Sequence, residues 1–472
     1  MANKKFSVIS LFSGAGGMDL GFKSEASFNM QLANDILSPP ASTYAENFGH
    51  EIIDVSEFNK NCRIKLPIYL LGDVSEIDFS KFDELAVDIA VGGPPCQDFS
   101  VVRGGEKERQ GIKVKRGRLY SYFVRALTHL QPKIFVFENV PGLKSANNGA
   151  AYETILNDFS KLDLNWQEIK KIVGNNALSS IKSYFIIFSG IVNSADLGVP
   201  QRRKRLIIIG IREDLINNNR MKINELKQRV NFILNGQDSI FKKYPLTPLE
   251  VFEGKPLTEL QNEYKEIMKE YSNVSEYIDT EESQKWVREV WNKLSFNVIK
   301  DYLKVNNITR ADSNELENVF EKHTLILKEL GYYQRKLEGS VFKDNSNVHL
   351  REIDNVLERL KMIPPDENHE FVRGTRWEVE GRGISLIYRR IYPLKPSYTV
   401  VAYGGGGTWG YHYKRSRGKL TNRERARLQT FPDNFLFKGS STEVRAQIGE
   451  AVPPLLAKKI AEIVKRILNE VG

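Results

Sequence analysis

One of the two cysteines in this 472-residue sequence stands where a nucleophile could work. The apolar run Val87–Val91 leads into two glycines and two prolines, and Cys96 follows them directly. Such a stiff loop would hold the thiol at the carboxyl edge of a sheet, where open α/β sheets bind their ligands. Neither a C-x-x-C pair nor an H-x-E motif occurs, which excludes a zinc deaminase site, and no metal is expected.

A carboxylate in a similar setting could act with this thiol. Glu138 directly follows the apolar run Ile134–Phe137. Burial disfavours the ionised form of a carboxyl, so a residue placed there can hold and deliver a proton near neutral pH. Alone, Glu138 is better explained as a carboxylate that caps a loop. Together with Cys96 at the same sheet edge, it is better interpreted as a catalytic acid.

Four consecutive cations, Arg202–Arg205, precede the apolar run Leu206–Ile209. A run of this kind is either a solvated face or a phosphate-binding patch. Alternation along an extended segment puts Arg203 and Arg205 on one side, and we expect that side to face the cleft.

A glycine-rich turn follows the first apolar run and could cradle a cofactor. The segment Leu11–Gly17 differs from the dinucleotide fingerprint G-x-G-x-x-G, whose last glycine would fall on Asp19. Asp35 lies where the second strand should end, and a carboxylate there can accept hydrogen bonds from both ribose hydroxyls. Asp73 could close a third strand and reach an adenine amino group. This set favours S-adenosylmethionine over NAD because it lacks a pyrophosphate-binding feature.

These residues require a sheet that brings them to one edge. Near-continuous apolar runs bounded by glycine, proline or polar residues predict a doubly wound, mostly parallel α/β sheet in residues 1–212. Residues 213–390 contain few strand-like apolar runs. We predict that they form a separate, inserted domain with helices such as Leu257–Tyr271 and Asn314–Leu330. Residues 391–472 hold further motifs and a closing helix, and we expect them to return to the first domain.

Composition narrows the class of protein. The 68 Lys+Arg and 59 Asp+Glu give a net charge of +9, which permits an anionic partner such as nucleic acid without proving one. No apolar run is long enough to span a membrane. Two cysteines cannot form a disulfide framework, which predicts a reducing, cytoplasmic setting.

The motifs, taken in order, resemble the DNA cytosine-5 methyltransferase family. The resemblance covers about residues 5–210 and 390–470 and rests on the following segments: Leu11–Gly17, Asp35, Asp73, Gly92–Ser100, Arg116–Leu119, Glu138–Val140, Gln201–Arg205, Leu420–Pro432 and Gln447–Pro454. It implies a methyltransferase fold with an inserted target recognition domain at about 213–390.

The resemblance also assigns roles. Cys96 becomes the nucleophile that adds to carbon 6 of a flipped cytosine, and Glu138 the acid that protonates N3. Arg205 would hold the base's O2, with Arg203 supporting the loop or a phosphate. Glu450 stands where the family commonly has Asn, which puts a side-chain contact to the cofactor in doubt. Residues implied to bind S-adenosylmethionine are Phe12, Ser13, Gly14, Gly17, Asp35, Asp73, Pro94 and Leu119.

The implied partner is double-stranded DNA. The residues implied to contact it are Gln97, Ser100, Arg103, Arg116, Gln201 and Thr399. By resemblance, Val101–Arg118 is the loop that closes over flipped DNA, and Lys414–Arg427 holds some arginines with structural roles. We further expect a monomer that protects host DNA from a separate restriction endonuclease.

Three other functions are compatible with parts of this pattern. A tRNA cytosine methyltransferase would keep the chemistry, although the long middle segment offers more recognition surface than one nucleotide needs. A non-catalytic DNA-binding regulator would keep the fold, although every expected catalytic residue is present. An NAD-dependent dehydrogenase is disfavoured by the missing third glycine and by the Pro-Pro-Cys loop.

Overall fold

The computed structural model describes residues 5–60, 65–82, 85–95, 119–173, 181–216, 220–379, 386–405 and 407–471. The chain forms two compact units. The first unit contains Met1–Ser194, Lys204–Asp238 and Pro454–Gly472, and the second contains Ala195–Arg203 and Ser239–Pro453. Residues 391–453 therefore group with the second unit, and only the closing helix returns to the first. That residues 1–212 form a catalytic domain and residues 213–390 a target recognition domain stays a prediction.

The first unit is built on an eight-stranded sheet. Its strands are β1 (Phe6–Leu11), β2 (Phe28–Asp35), β3 (Glu51–Asp54), β4 (Ile68–Leu71), β5 (Ile89–Gly92), β6 (Ile134–Asn139), β7 (Tyr184–Asn193) and β8 (Lys204–Arg212). Their order is β3-β4-β2-β1-β5-β6-β8-β7, and only the pairings made by β8 are antiparallel. The predicted mostly parallel α/β sheet is confirmed.

The apolar runs of the sequence become the central strands because the sheet is covered on both faces. All six residues of β6 are buried, as are all four of β5. Strands covered on both sides lose the alternation of apolar and polar residues that half-exposed strands show. The chain leaves β1 toward β2 on one side and reaches β5 on the other. The carboxyl ends of β1 and β5 therefore flank the point where the strand order reverses.

The helices follow in chain order, with α8–α16 in the second unit. They are α1 (Gly17–Ser24), α2 (Ser38–Phe48), α3 (Val55–Lys60), α4 (Leu119–Leu130), α5 (Ala150–Ser160), α6 (Leu162–Val173), α7 (Arg220–Leu234), α8 (Pro248–Glu253), α9 (Gln261–Lys269), α10 (Val274–Tyr277), α11 (Glu281–Glu289), α12 (Val298–Val305), α13 (Ser313–Glu329), α14 (Asp354–Lys361), α15 (Asn422–Leu428), α16 (Ser441–Glu450) and α17 (Pro454–Val471).

The closing helix α17 packs on α1. Its predicted apolar face is buried, with Leu456, Ile460, Val464 and Ile467 fully so. Gly21 of α1 lies against the α17 backbone so closely that a Cβ there would come within 2.4 Å of Lys458 N. The return of the chain terminus to the first unit is therefore a close helix–helix contact.

The second unit is mainly helical. Pairing between extended segments is limited, among its described residues, to isolated bridges such as Arg390 with Tyr411. A second hydrophobic core forms there from residues of α10, α11 and the segment 360–411. No helix in the described ranges is long and apolar enough to cross a membrane.

Candidate active site

The carboxyl ends of three central strands meet at one edge of the sheet. The Cα atoms of Leu11 and Gly92 are partners in the β1–β5 ladder, and Gly92 is the partner of Phe137 in the β5–β6 ladder. The residues that follow these three positions therefore emerge side by side. They are the glycine turn, the Gly93–Pro95 segment and Glu138, all of which the sequence singled out.

Glu138 is held in an ion pair at this edge. Its Oε1 lies 2.9 Å from Nε of Arg205, and both side chains are about one-eighth exposed. The two residues come from neighbouring strands, because β6 pairs with β8 in antiparallel fashion. Burial lowers the pKa of Arg205, while the carboxylate of Glu138 raises it. The pair thus places a carboxylate and a cation side by side at the sheet edge.

The loop that leads to Cys96 is shaped around Glu138 and its neighbour. A Cβ at Gly93 would lie 2.7 Å from Oε2 of Glu138, so a glycine is needed for the carboxylate to sit there. Asn139 donates from Nδ2 to the carbonyl oxygen of Pro94 at 3.1 Å. The loop approaching Cys96 is therefore fixed to the end of β6. This role of Gly93 was missed by the sequence reasoning, because a contact between two strands has no local signature.

Several predicted site residues lie outside the described residues. They are Cys96, Gln97, Ser100, Arg103 and Arg116, together with the rest of the basic segment Val101–Arg118. Their assignments remain predictions. Pro94 and Leu119, at the two ends of this range, are described: Pro94 is buried, and Leu119 opens α4.

The glycine turn after β1 has the form of a cradle. Phe12, Gly14 and Gly16 all adopt positive φ angles, and Gly16 precedes the first residue of α1, Gly17. Ser13 is tied to the next strand by its N–H and its hydroxyl, which both donate to Asn34 O. A Cβ added at Gly14 would meet nothing within 4 Å. The turn is therefore rigid, and the space beside Gly14 is open to a ligand.

Two carboxylates follow β2 and β4 at the same edge. Asp35 closes β2 and accepts from Gly14 N at 3.0 Å and Leu37 N at 3.2 Å, and burial raises its pKa. Asp73 accepts from Ser75 N at 2.8 Å and so caps a short 3-10 turn. Asp35 ends β2 as predicted, whereas Asp73 lies two residues after β4 and does not close a third strand. The open turn and the adjacent carboxylates fit an adenosine-containing ligand.

Arg203 is not a free cation. Its side chain is 1% exposed and donates to the carbonyl oxygens of Val400, Gly449 and Glu450 within the second unit. The phosphate contact that the sequence left open does not fit this burial, whereas the loop-supporting role does. The expectation that Arg203 faces a cleft is therefore wrong.

Gln201 requires a second correction. It was predicted to contact DNA, but its side chain is fully buried. Its Nε2 donates to Gln429 Oε1 at 2.8 Å, and its Oε1 accepts from Val400 N at 2.7 Å. A side chain with both ends engaged inside the protein cannot read a base.

The residues of the same segment that do reach the surface are Arg202 and Thr399. Arg202 N donates to Ser397 O, and Thr399 Oγ1 donates to Arg202 O at 2.9 Å. Both residues are exposed. Thr399 is therefore accessible, as its predicted contact with DNA requires, and Arg202 is accessible as well. The alternation of side chains along this segment separates Arg202 from Arg203, but the sequence analysis placed Arg203 on the accessible side and so missed Arg202.

The basic stretch Lys414–Arg427 is largely structural. Arg423 and Arg427 are fully buried and pair with Asp344 at 2.6 Å and Asp433 at 2.5 Å. Arg425 is also buried, and burial lowers its pKa to about 10. The structural role predicted for some of these arginines is confirmed. These three arginines are too deeply buried to contact a DNA backbone.

Comparison with known proteins identifies the family. The family model for C-5 cytosine-specific DNA methylase matches residues 6–466. The chain belongs to this family. The DNA (cytosine-5-)-methyltransferase M.ApeKI of Aeropyrum pernix is 54% identical over 468 residues, which cover 99% of this chain and 100% of that protein. This cytosine methylase is therefore an enzyme of the DNA (cytosine-5-)-methyltransferase class.

A further relative is similar in sequence, and a solved structure is similar in fold. The type II methyltransferase M.NgoFVII of Neisseria gonorrhoeae is 29% identical, over 99% of this methylase and 87% of that protein. A crystal structure assigned to a DNA modification methyltransferase of an E. coli prophage covers 98% of this chain and 100% of its own, with a TM-score of 0.54 and 20% identity. At that identity the likeness concerns the fold alone.

Proposed function

We propose that this methylase modifies carbon 5 of cytosine within a specific double-stranded DNA sequence and takes the methyl group from S-adenosylmethionine. The observation that carries the proposal is the Glu138–Arg205 pair beside the Gly93–Pro95 segment. It puts an acid and a cation next to the loop on which the sequence places Cys96.

The chemistry needs these three side chains because carbon 5 of cytosine is a poor nucleophile. Addition of the Cys96 thiolate to carbon 6, with protonation of N3 by Glu138, converts the ring into an enamine. In this proposal Arg205 releases Glu138 as the base enters and bonds to its O2. Once carbon 5 has gained the methyl group, a base removes its proton, the Cys96 thiolate leaves by β-elimination and the N3 proton returns to Glu138, which restores the aromatic ring.

The cofactor would sit against the glycine turn. When bound, S-adenosylmethionine supplies an electrophilic methyl group on a sulfonium. Phe12, Ser13, Gly14 and Gly17 would surround it, Asp35 would accept hydrogen bonds from the ribose, and Asp73 would face the adenine. The open space beside Gly14 and the position of Asp35, which accepts from Gly14 N, support this placement. Pro94 and Leu119 would complete the pocket.

The target atoms are buried in duplex DNA, so the cytosine must be flipped out of the stack. Thr399 remains a proposed DNA contact, as do Gln97, Ser100, Arg103 and Arg116. Residues 213–390 are proposed to read the sequence. We further propose a cytoplasmic monomer that protects host DNA from a separate restriction endonuclease, in keeping with relatives named as type II methyltransferases.

Methyl transfer by purified variants tests the proposal. Wild-type protein should transfer tritiated methyl groups from S-adenosylmethionine to duplex DNA, and Cys96→Ser should lose the activity. Glu138→Gln should lower the rate by roughly 10²- to 10⁴-fold, the usual contribution of general acid–base catalysis. Full activity in Cys96→Ser would refute the nucleophile assignment.

Two controls define the substrate. Bisulfite sequencing of a plasmid that carries the gene should show 5-methylcytosine in one sequence context. A competition between duplex DNA and tRNA should favour DNA. Preferential labelling of tRNA would replace the proposed substrate while leaving the chemistry intact.

A further inference from the structure

A buried carboxyl lies under the glycine turn and has no assigned role. Asp19 is in the first turn of α1, and its side chain is completely inaccessible to solvent. Neither of its oxygens has a hydrogen-bond partner in the described part of the chain, and it forms no ion pair there. An isolated carboxyl in a protein interior is costly, so its presence calls for a compensating interaction.

The nearest polar neighbours of Asp19 are hydroxyl groups. Those of Ser10 and Tyr44 are close enough to offset part of the effect of burial, which raises the pKa of Asp19 to about 7. The Tyr44 hydroxyl also has no hydrogen-bond partner. The packing around Asp19 thus brings the carboxyl and the phenol together in the interior, although neither forms a hydrogen bond of good geometry.

This cluster is connected to the turn that should hold the cofactor. The Tyr44 ring packs beneath Gly16, where a Cβ would come within 2.8 Å of it. The rings of Tyr44 and Tyr69 are 5.0 Å apart, and the Tyr69 hydroxyl donates to Gly14 O at 3.4 Å. A charge that developed on Asp19 would therefore act on the underside of the cradle through a few packed groups.

Other titratable or charged groups near α1 could also influence the ionisation of Asp19. Titratable or charged side chains on the elements around α1 include Tyr44, His50, Tyr69, Asp35, Lys23, Glu25, Lys458 and Lys465. Burial lowers the pKa of His50 to about 4, so it is neutral near pH 7. Lys465 is paired with Glu25 at 3.0 Å. None of the lysines forms an ion pair with Asp19.

We propose that Asp19 is a positioning residue that favours the cationic cofactor over its neutral product through the charge of its carboxylate. The proposal rests on the proposed function, since it requires S-adenosylmethionine in the glycine turn. A sulfonium brings one positive charge to a cluster that contains carboxylates and phenols. S-adenosylhomocysteine, left after methyl transfer, lacks that charge, so the ionised Asp19 would hold the substrate form and release the product form.

The preference should depend on pH. A carboxyl whose pKa is raised is neutral below that pKa and ionised above it, so the electrostatic preference should be absent at pH 5.5 and complete above pH 8. Both ligands carry the same amino acid and nucleoside groups, whose own titration cancels in the ratio of the two dissociation constants. The preference should rise by roughly threefold to tenfold, as expected of a screened charge interaction inside a protein.

Calorimetric titration of the full chain tests the proposal. The dissociation constants of S-adenosylmethionine and S-adenosylhomocysteine would be measured between pH 5.5 and 8.5 for wild type, Asp19→Asn and Asp158→Asn. Asp158 is a matched control, since it is also buried and raised in pKa, but it bonds to Tyr120 on another part of the first unit. Thermal unfolding would confirm that each variant is folded.

The preference should increase with pH in wild type and in Asp158→Asn, and it should be flat in Asp19→Asn. A flat preference in wild type would overturn the proposal even if Asp19→Asn did not fold. Equal weakening of both ligands in Asp19→Asn would also overturn it, because that is the behaviour of a purely structural residue. Failure of wild type to bind either ligand would instead refute the cofactor assignment, and this proposal with it.

Discussion

Substitution of Gly93 by alanine should disable the enzyme without unfolding it. The added Cβ would lie 2.7 Å from Oε2 of Glu138, whereas contacts of 3.4 Å or more are ordinary. The nearest other atoms lie 3.7 Å away or farther, so the clash falls on the carboxylate alone. Because the end of a glutamate side chain can rotate, Glu138 should move by about 0.7 Å, and its bond to Arg205 should lengthen.

The expected magnitudes differ for catalysis and stability. Misplacement of a catalytic group by about 1 Å can cost about 10²-fold in rate. We therefore expect kcat to fall by roughly 10- to 100-fold, which corresponds to about 1.4–2.7 kcal/mol. The free energy of unfolding should change by less than about 1 kcal/mol. Strain at Glu138 is opposed by the reduced entropy of the unfolded chain, since Gly93 does not need a positive φ.

Single-turnover methylation of duplex DNA is the assay, with binding of S-adenosylmethionine measured separately. A double-mutant cycle with Glu138→Ala supplies the control. If the added methyl group acts only through Glu138, the double variant should be no slower than Glu138→Ala alone. Additive losses, or weakened cofactor binding in Gly93→Ala, would show that the reasoning is wrong.

Three further predictions concern the second unit. Arg203→Met leaves three carbonyl groups without their donor and should lower the free energy of unfolding by about 3 kcal/mol in urea titrations, with Arg202→Met as an exposed control. Asp344→Asn leaves buried Arg423 without its counter-charge and should cost about 3–5 kcal/mol by the same measurement; a loss below 1 kcal/mol would contradict the burial of the pair. Burial, aided by Asp366, raises the pKa of Glu367 to about 7. The folded state then binds more protons than the unfolded state between pH 4.5 and 7, so the free energy of unfolding should fall across this range and level off above it. Glu367→Gln should abolish this decrease, which we expect to be about 2 kcal/mol. An unchanged slope in the variant would refute this.

The main elements of the first unit could be predicted from the sequence. The apolar runs near residues 6, 89, 134, 184 and 206 all became strands, and Asp35 ends β2 as expected. Most of these strands are buried on both faces, so their composition is nearly uniform and carries a strong local signal, whereas β7 lies at the sheet edge and is only partly buried. The closing helix showed an equally clear period. Residues that directly follow such parallel strands lie at the carboxyl edge of the sheet, so their positions could be predicted along with the strands.

The orientation of individual side chains outside these elements could not be predicted. Gln201 and Arg203 are buried and Arg202 is exposed because the segment pairs with Ser397 and its neighbours, nearly 200 positions further along the chain. The alternation of side chains along an extended segment shows that every second residue lies on the same side, but not which of the two sides is buried. Only the distant partner decides which set of side chains becomes the buried one.

The sequence by itself supplied the groups on which the proposed chemistry rests: a thiol after a glycine–proline loop, a carboxyl after an apolar run and a glycine turn that differs from the dinucleotide fingerprint. These depend on residue type and on position relative to a strand, which are local properties. Only the tertiary structure decided which charges are available. It pairs Glu138 with Arg205, buries Arg423, Arg425 and Arg427, and isolates Asp19, because the accessibility of a charge depends on segments that are far apart in the chain.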